Sequence, residues 1–240
     1  MIGIVGGIGP YAGLHLHKVI MDRAAATCDQ DYLPVLHINN ASSVSDRTEF
    51  LLGNVPENPG VSLSEQIQVL YNAGARVIGL SCNTAHAFPI YREIVGRVSD
   101  LENLVLVNMI DELFLEIQKT ENHRTGLLAT LGSYQCGIFR EYAASYGIEV
   151  SEPDLPVQKM IHDTIYNIKD GIKVTGIVND RIRTLYHSAI EDYKGKNIRS
   201  VILGCTEISM AFDYTDQECT IYKTVDILAE ALIREYRKMA

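Results

Sequence analysis

Positive charge is scarce in this chain: 21 Lys and Arg stand against 30 Asp and Glu, for a formal net charge of -9. No run of lysines or arginines offsets the deficit locally, so the electrostatic footprint of a nucleic-acid binder is missing and no nucleic-acid partner is expected. An anionic ligand would have to be held by particular cations. Long apolar runs are also missing. The opening apolar segment is broken by glycines within a few residues and no charged segment leads into an apolar one, which predicts neither a signal peptide nor a membrane span and places the protein in the cytoplasm. C-x-x-C and H-E-x-x-H spacings are absent. Five cysteines (Cys28, Cys82, Cys136, Cys205, Cys219) in a reducing compartment are then not a disulfide framework, and no metal site is expected. His15 and His17, two apart on a helix, do not share a face and are no metal pair. Low-complexity tracts and linkers are absent too.

What is present is a 240-residue chain, 47% hydrophobic and 21% charged, enough for one large core or two modest ones. Short apolar runs alternate with longer amphipathic ones. Residues 2–5, 34–38, 77–80, 104–107, 125–129 and 198–203 read as buried strands; 62–73, 133–146 and 174–193 read as helices. The alternation predicts an α/β fold with parallel sheets. Helix starts are expected at Pro10 after Gly9, at Ser133 after Gly132, and at Ser62 or Ser64.

The chain also resembles itself. GIVGGIG (3–9) and GLLATLG (126–132) share a pattern of glycine, two aliphatics, two small residues, aliphatic and glycine, at an offset of 123. VIGLSC (77–82) and SVILGC (200–205) align at the same offset, and Arg47 pairs with Lys169 at 122. A constant offset predicts two copies of one α/β unit. If the copies face each other across a pseudo-twofold axis, the carboxyl ends of equivalent strands converge on one cleft, where ligands of α/β sheets bind. Cys82 and Cys205, like Arg47 and Lys169, would then look at each other across a ligand. The expected domains are 1–98 with 212–240, the C-terminal helix returning to the first unit, and 99–211.

Each of these two cysteines precedes a hydrogen-bonding pair and a helical pattern: Cys82-Asn83-Thr84-Ala85-His86 and Cys205-Thr206-Glu207-Ile208. A helix start offers free N–H groups and the positive end of its dipole, which favour thiolate and carboxylate. Two such sulphurs on opposite faces of a carbon suit removal of a proton on one side and its return on the other, that is, racemisation or epimerisation. A lone cysteine at a strand end is more often a small buried hydrophobe, and that reading holds for Cys28, Cys136 and Cys219. Matched offsets and matched polar neighbours set Cys82 and Cys205 apart.

The pieces GIVGGIGPYAG, DRTEFLLG (46–53), SCNTAH (81–86), GLLATLGS (126–133), IYNIKDG (165–171) and ILGCTEI (202–208) run nearly end to end. With them the chain resembles the cofactor-independent aspartate/glutamate racemases. The resemblance implies two similar α/β domains with the active-site cleft between them, a homodimer, no cofactor and an acidic amino acid as substrate. Cys82 and Cys205 match the two catalytic positions, one thiolate taking the Cα proton while the other thiol protonates the opposite face. Arg47 and Lys169 match residues that hold a substrate carboxylate. Asn83, Thr84 and Thr206 match positions that bind the substrate backbone, and Thr130 and Ser133 match pocket positions. Gly7, Ile8 and Gly9 in the opening turn, and Glu207 after the second cysteine, complete the expected substrate-binding set. Thr206-Glu207 follows the aspartate-type branch, whereas the glutamate racemases have histidine after that threonine. Ile8 and Gly13 depart from the methionine and threonine frequent in the aspartate-type branch.

Rival readings remain open at this point. GIGPYA approaches a G-x-G-x-x-A dinucleotide loop, but the second strand, PVLHINN, ends in Asn39 and Asn40 where an acidic residue would hold a ribose. A maleate isomerase or hydantoin racemase would keep the fold and change the reaction, although two inward cations suit a neutral hydantoin poorly. Arylmalonate decarboxylase resembles the scaffold with a single cysteine. A non-catalytic acidic-amino-acid-binding protein would keep the cleft without exchanging the Cα proton.

Overall fold

The computed structural model describes residues 1–210 and 218–239. Its first sheet contains β1 (Ile2–Val5), β2 (Val35–Ile38), β3 (Val77–Leu80) and β4 (Val105–Val107), in the order β2-β1-β3-β4. The second contains β5 (Arg124–Leu128), β6 (Glu149–Ser151), β7 (Ser200–Leu203) and β8 (Thr220–Lys223), in the order β6-β5-β7-β8. Every pairing is parallel. Counted within its own half, each sheet therefore has the order 2-1-3-4, and the offset of 123 in sequence is the same α/β unit built twice. β1, β3 and β7 are buried along their whole length, as strands covered on both faces must be.

Helices supply the cover. In the first half these are α1 (Pro10–Asp22), α2 (Arg47–Leu51), α3 (Gly60–Asn72), α4 (Phe88–Val98) and α5 (Met109–Gln118). In the second they are α6 (Leu131–Cys136), α7 (Ile138–Ser145), α8 (Leu155–Tyr166), α9 (Ile172–Thr175), α10 (Asp180–Gly195), α11 (Thr206–Met210) and α12 (Thr224–Met239). Side chains alternate across the strands: Ile2, Ile4 and Val77 join Leu16, Ile20, Leu228 and Leu232 on one face of the first sheet. Val5, Ile78 and Leu80 join Leu63, Ile67, Ile90 and Ile94 on the other. The second sheet is packed the same way, by Ile161, Ile165, Tyr186 and Ile190 on one face and by Ile110, Phe114 and Phe139 on the other. Among the described residues no helix is long and apolar enough to cross a membrane.

The halves are interlocked. After β4 the chain leaves the first sheet, and α5 packs into the core of the second; after β8 it leaves the second sheet, and α12 packs on the first. A division at 98/99 therefore separates β4 from the sheet it belongs to, and assigning everything past 212 to the first unit does the same to β8. The 211/212 boundary itself falls on residues outside those described.

Local sequence explains where the helices differ from the periodicity. The single helix expected over 133–146 is two, because Gly137 takes a left-handed φ of 68° between α6 and α7. Gly176, at φ 66°, likewise ends α9, and α10 restarts on the Asn179 cap, whose side chain accepts from the Ile182 N–H. α3 starts earlier than Ser62: Pro59 is its N-cap and the Asn58 side chain accepts from the Gly60 N–H at 2.9 Å. β6 and β8, absent from the sequence reading, are edge strands of three and four residues with mixed burial. They lack the apolar run that marks a central strand.

Candidate active site

Cys82 and Cys205 each lie two residues past the end of a central strand, β3 and β7, at the carboxyl edge of its sheet. They line one enclosed pocket. The first half contributes Arg47, Cys82, Asn83 and Thr84; the second contributes Thr130, Tyr166, Lys173, Gly204, Cys205, Thr206 and Glu207. Both thiols are free and buried.

Arg47 is delivered by α2. Asp46 caps this helix, accepting from the N–H groups of Thr48 and Glu49 at 2.8 and 3.0 Å. α2 packs on α6 so closely that a Cβ on Gly132 would stand 2.6 Å from Thr48, which joins the halves beside the pocket. Burial on its own disfavours the Arg47 cation, but the neighbouring Cys82, Asp46 and Tyr166 hold it charged. Its Nε is buried without a hydrogen-bond partner, and so is Oδ1 of Asn83. An unpaired donor and an unpaired acceptor in one pocket are what a zwitterionic ligand would satisfy.

Across the pocket, Glu207 is fully buried and forms the hub of a short network. One carboxylate oxygen lies 2.7 Å from Lys173 Nζ; the other accepts from Cys205 Sγ at 2.9 Å and Thr206 Oγ1 at 3.1 Å. Burial by itself would raise the Glu207 pKa, but the Lys173 ammonium outweighs it and the carboxyl stays below its ordinary range. Burial likewise opposes the Lys173 cation, and Glu207 reverses that effect and raises its pKa. Cys205 is pushed well above an ordinary thiol, first by burial and then by the Glu207 charge. The Lys173 ammonium also sits 5.2 Å from the centre of the Tyr166 ring, a cation–π distance.

Hydrogen bonds tie the polar lining across the halves. Asn83 Nδ2 donates to Thr224 Oγ1 at 3.1 Å, and Thr224 donates to the Leu203 carbonyl at 3.2 Å. Ser133 Oγ lies 3.3 Å from Thr84 Oγ1 and 3.0 Å from Thr130 Oγ1. Ser133 thus stands behind the lining and fixes two of its members. The expected helix after Cys82 begins as a 3₁₀ turn, Asn83–His86, before α4.

His86 supports that turn. It is fully buried, and burial lowers its pKa to about 4 despite hydrogen bonds that pull the other way, so the ring is neutral. Nδ1 donates to the Cys82 carbonyl at 2.9 Å and Nε2 accepts from the Met109 N–H at 3.3 Å. His86 holds the cysteine backbone and stays out of the pocket. An unfolded histidine titrates near 6.5, so between about pH 6.5 and 4 the unfolded chain takes up a proton that the folded chain refuses. Stability from His86 is complete above that window and is lost as the pH falls through it, about 2–3 kcal/mol by pH 4.5. Denaturant unfolding at pH 7 and 4.5 should show this loss in the wild type and a shallower dependence in His86→Gln. Equal slopes would contradict a buried neutral ring.

The sequence expectations thus meet the structure unevenly. Cys82, Cys205, Arg47, Asn83, Thr84, Thr130, Thr206 and Glu207 are brought together. Lys169 is not: it is exposed in the turn after α8, its N–H bonded to the Asn167 side chain at 2.9 Å. Lys173, one short helix further on, is the lysine in the pocket. Gly7, Ile8 and Gly9 are not lining residues either. Ile8 is wholly buried in the first-half core, and a Cβ on Gly7 would stand 2.9 Å from the Asn40 backbone. At Gly9, φ is 114° and a Cβ would meet Glu207 Oε1 at 2.5 Å. The glycines of the opening turn make way for β2, for His37 and for the Glu207 carboxylate. Tyr166, Lys173 and Gly204 were missed, and nothing in the repeat pointed to Lys173.

Two like α/β units that each place a strand-end thiol in a shared, cation-lined pocket define a two-domain α/β protein with a paired-cysteine site. The Asp/Glu/Hydantoin racemase family model matches residues 5–232, and the chain belongs to that family. Among solved structures it is similar to the Picrophilus torridus aspartate racemase, at 25% identity and a TM-score of 0.82, covering 98% of this chain and 93% of that one. An aspartate racemase homologue from Pyrococcus horikoshii OT3 matches at 22% identity and a TM-score of 0.76, with 98% of both chains covered. Glutamate racemase from Francisella tularensis, in complex with D-glutamate, matches at 13% identity and 0.70, covering 99% of this chain and 81% of that one. The last two likenesses are of fold.

Proposed function

We propose that this protein is a cofactor-independent racemase of an acidic amino acid, with aspartate the favoured substrate, and that Cys82 and Cys205 are its two acid–base groups. The observation that carries the proposal is the pocket itself: one thiol from each half and a cation from each half, Arg47 and Lys173, around buried polar atoms left unpaired.

The chemistry follows from that arrangement. In one direction the Cys82 thiolate takes the Cα proton and becomes a thiol. Cys205 gives its S–H proton to the opposite face of the carbanion and becomes a thiolate. The other enantiomer runs the steps in reverse. A Cα proton is a poor acid, so the negative charge that develops at Cα and spreads into the carboxylate must be met by donors already in place. The Arg47 guanidinium, the Asn83 and Thr84 segment and Thr206 are so placed, and Asn83 Oδ1 is an acceptor for the substrate ammonium. A substrate carboxylate gives Arg47, whose Nε has no partner, a reason to be buried in a protein of net charge -9, and Lys173, already paired with Glu207, adds positive charge that a second carboxylate can share.

The test is incubation of the purified protein with L-aspartate and L-glutamate separately in deuterium oxide, following optical rotation and Cα deuteration. Loss of rotation with deuteration, faster for aspartate, is expected. Binding without exchange would favour an amino-acid-binding protein and defeat the proposal.

A further inference from the structure

We infer that Glu207 is a positioning residue for the Cys205 proton: one carboxylate oxygen holds the S–H of Cys205 while the other is anchored by Lys173, so Cys205 is the thiol of the pair in the resting protein. Its use in turnover rests on the racemase reading, but the proton assignment itself is a property of the free protein.

The geometry carries it. Cys205 Sγ to Glu207 Oε2 is 2.9 Å, short for a sulphur donor, and Lys173 Nζ is 2.7 Å from the other oxygen. A carboxylate accepts and does not donate while ionised, so the shared proton belongs to sulphur. The carboxylate cannot rotate away: Gly9 packs against Oε1, and Thr206 Oγ1 holds Oε2 at 3.1 Å. This gives a physical use for the glycine at position 9, since any side chain there would displace the carboxylate.

The asymmetry with the other sulphur is electrostatic. Cys82 has the Arg47 guanidinium beside it, whereas the charge nearest to Cys205 is negative. Other groups around Cys205 do not supply the same bias. Lys173 on α9 favours its thiolate but is bound to Glu207, and Tyr166 on α8 and Tyr186 on α10 are both held neutral, chiefly by burial. Arg47 and Cys82 line the opposite half of the pocket. Once Cys205 has delivered its proton, a thiolate beside a carboxylate is unfavourable, and the pair recovers a proton from solvent as Cys82 returns one. The resting distribution is thereby restored with no net change in atoms or charge.

The experiment reads the thiol directly. Alkylation of the folded protein by iodoacetamide across a pH series, with the Cys205 peptide quantified by mass spectrometry, gives the pH at which half of Cys205 reacts as thiolate. Glu207→Gln should lower that midpoint by about one unit or more, a tenfold gain in thiolate at fixed pH. Glu207→Asp, which keeps the charge, should hold it near wild type. Because Glu207→Gln leaves Lys173 buried without its partner, Glu207→Gln with Lys173→Met is a second variant that keeps the pocket neutral; a smaller fall is expected. A midpoint unmoved in whichever of the two variants carrying Glu207→Gln folds would overturn the inference. A lowered midpoint in a protein that shows no Cα exchange with any acidic amino acid would uphold it while defeating the racemase reading.

Discussion

Replacing Cys82 or Cys205 by alanine should each reduce racemisation at least about 100-fold while leaving the fold intact. The size of the effect comes from the division of labour. Removal of the Cα proton and its return on the other face are both obligatory for inversion, so deleting either sulphur removes a whole proton transfer, worth about 10²–10⁴ by itself. Each thiol is a buried member of its half's core, but Cys→Ala removes only the sulphur, a small loss of packing that the fold should tolerate. Substrate binding should survive as well, since Arg47 and Lys173 remain. A further distinction separates the two variants: each retains one base, and each should still exchange the Cα proton of the enantiomer that its remaining sulphur faces, without inverting it. The check is paired measurement of optical rotation and Cα deuteration on both enantiomers. Turnover near wild type in either variant would remove that cysteine from the reaction.

Lys173→Met should be severely damaging and Lys169→Met nearly silent, although the two lysines are four residues apart. Lys173 sits 2.7 Å from a fully buried carboxylate and in the pocket. Its removal leaves Glu207 charged and unpaired, a defect of about 3–5 kcal/mol when one partner of a buried pair is lost, moderated to the extent that Glu207 takes up a proton. The substrate loses one of its two cations at the same time, so racemisation should fall by about 100-fold or more. Lys169 is exposed, and its replacement should change stability by no more than about 0.5 kcal/mol. Adding Glu207→Gln to Lys173→Met should recover most of the lost stability but not the activity, because the two effects have different origins. Denaturant unfolding and initial rates on these three variants and the wild type check all of this. Comparable losses at 169 and 173 would contradict the assignment of the pocket lysine.

Much of this was legible in the sequence, for identifiable reasons. Central strands such as Ile2–Val5 and Val77–Leu80 are short unbroken apolar runs, because parallel strands are covered on both faces. The repeat offset of 123 announced two copies of one unit, and it carried the cysteines with it because they follow equivalent central strands. Edge strands were legible only where they keep an apolar run, as β2 and β4 do, and not at β6 and β8. Glu149–Ser151 is an exposed charged residue followed by two half-buried ones, with no apolar run to mark it. The crossing of α5 and α12 between halves was half seen: the return of the C-terminal helix was expected, but β4 and β8 were assigned across the wrong boundary. Side chains on loops were the weakest point. The repeat located a lysine at 169, yet Gly171 and the short helix Ile172–Thr175 set the facing cation four residues later, a detail of local backbone that no offset encodes. The opening glycines were likewise read for the wrong neighbour. Gly9 is small for a carboxylate, but the carboxylate is that of Glu207.

Two sulphurs from two halves acting on opposite faces of one carbon leave an isotopic signature in the product and in the recovered substrate. L-aspartate is incubated with the protein in deuterium oxide, the reaction is stopped well before equilibrium, and the enantiomers are separated and analysed for Cα deuterium. D-aspartate should carry a full deuterium beside recovered L-aspartate that remains almost entirely protonated, because one group removes the proton and a different, solvent-exchanged group supplies the new one. Deuterium accumulating equally in both enantiomers, or D-aspartate that keeps the original proton, would mean that a single group serves both faces and would contradict the two-sulphur mechanism.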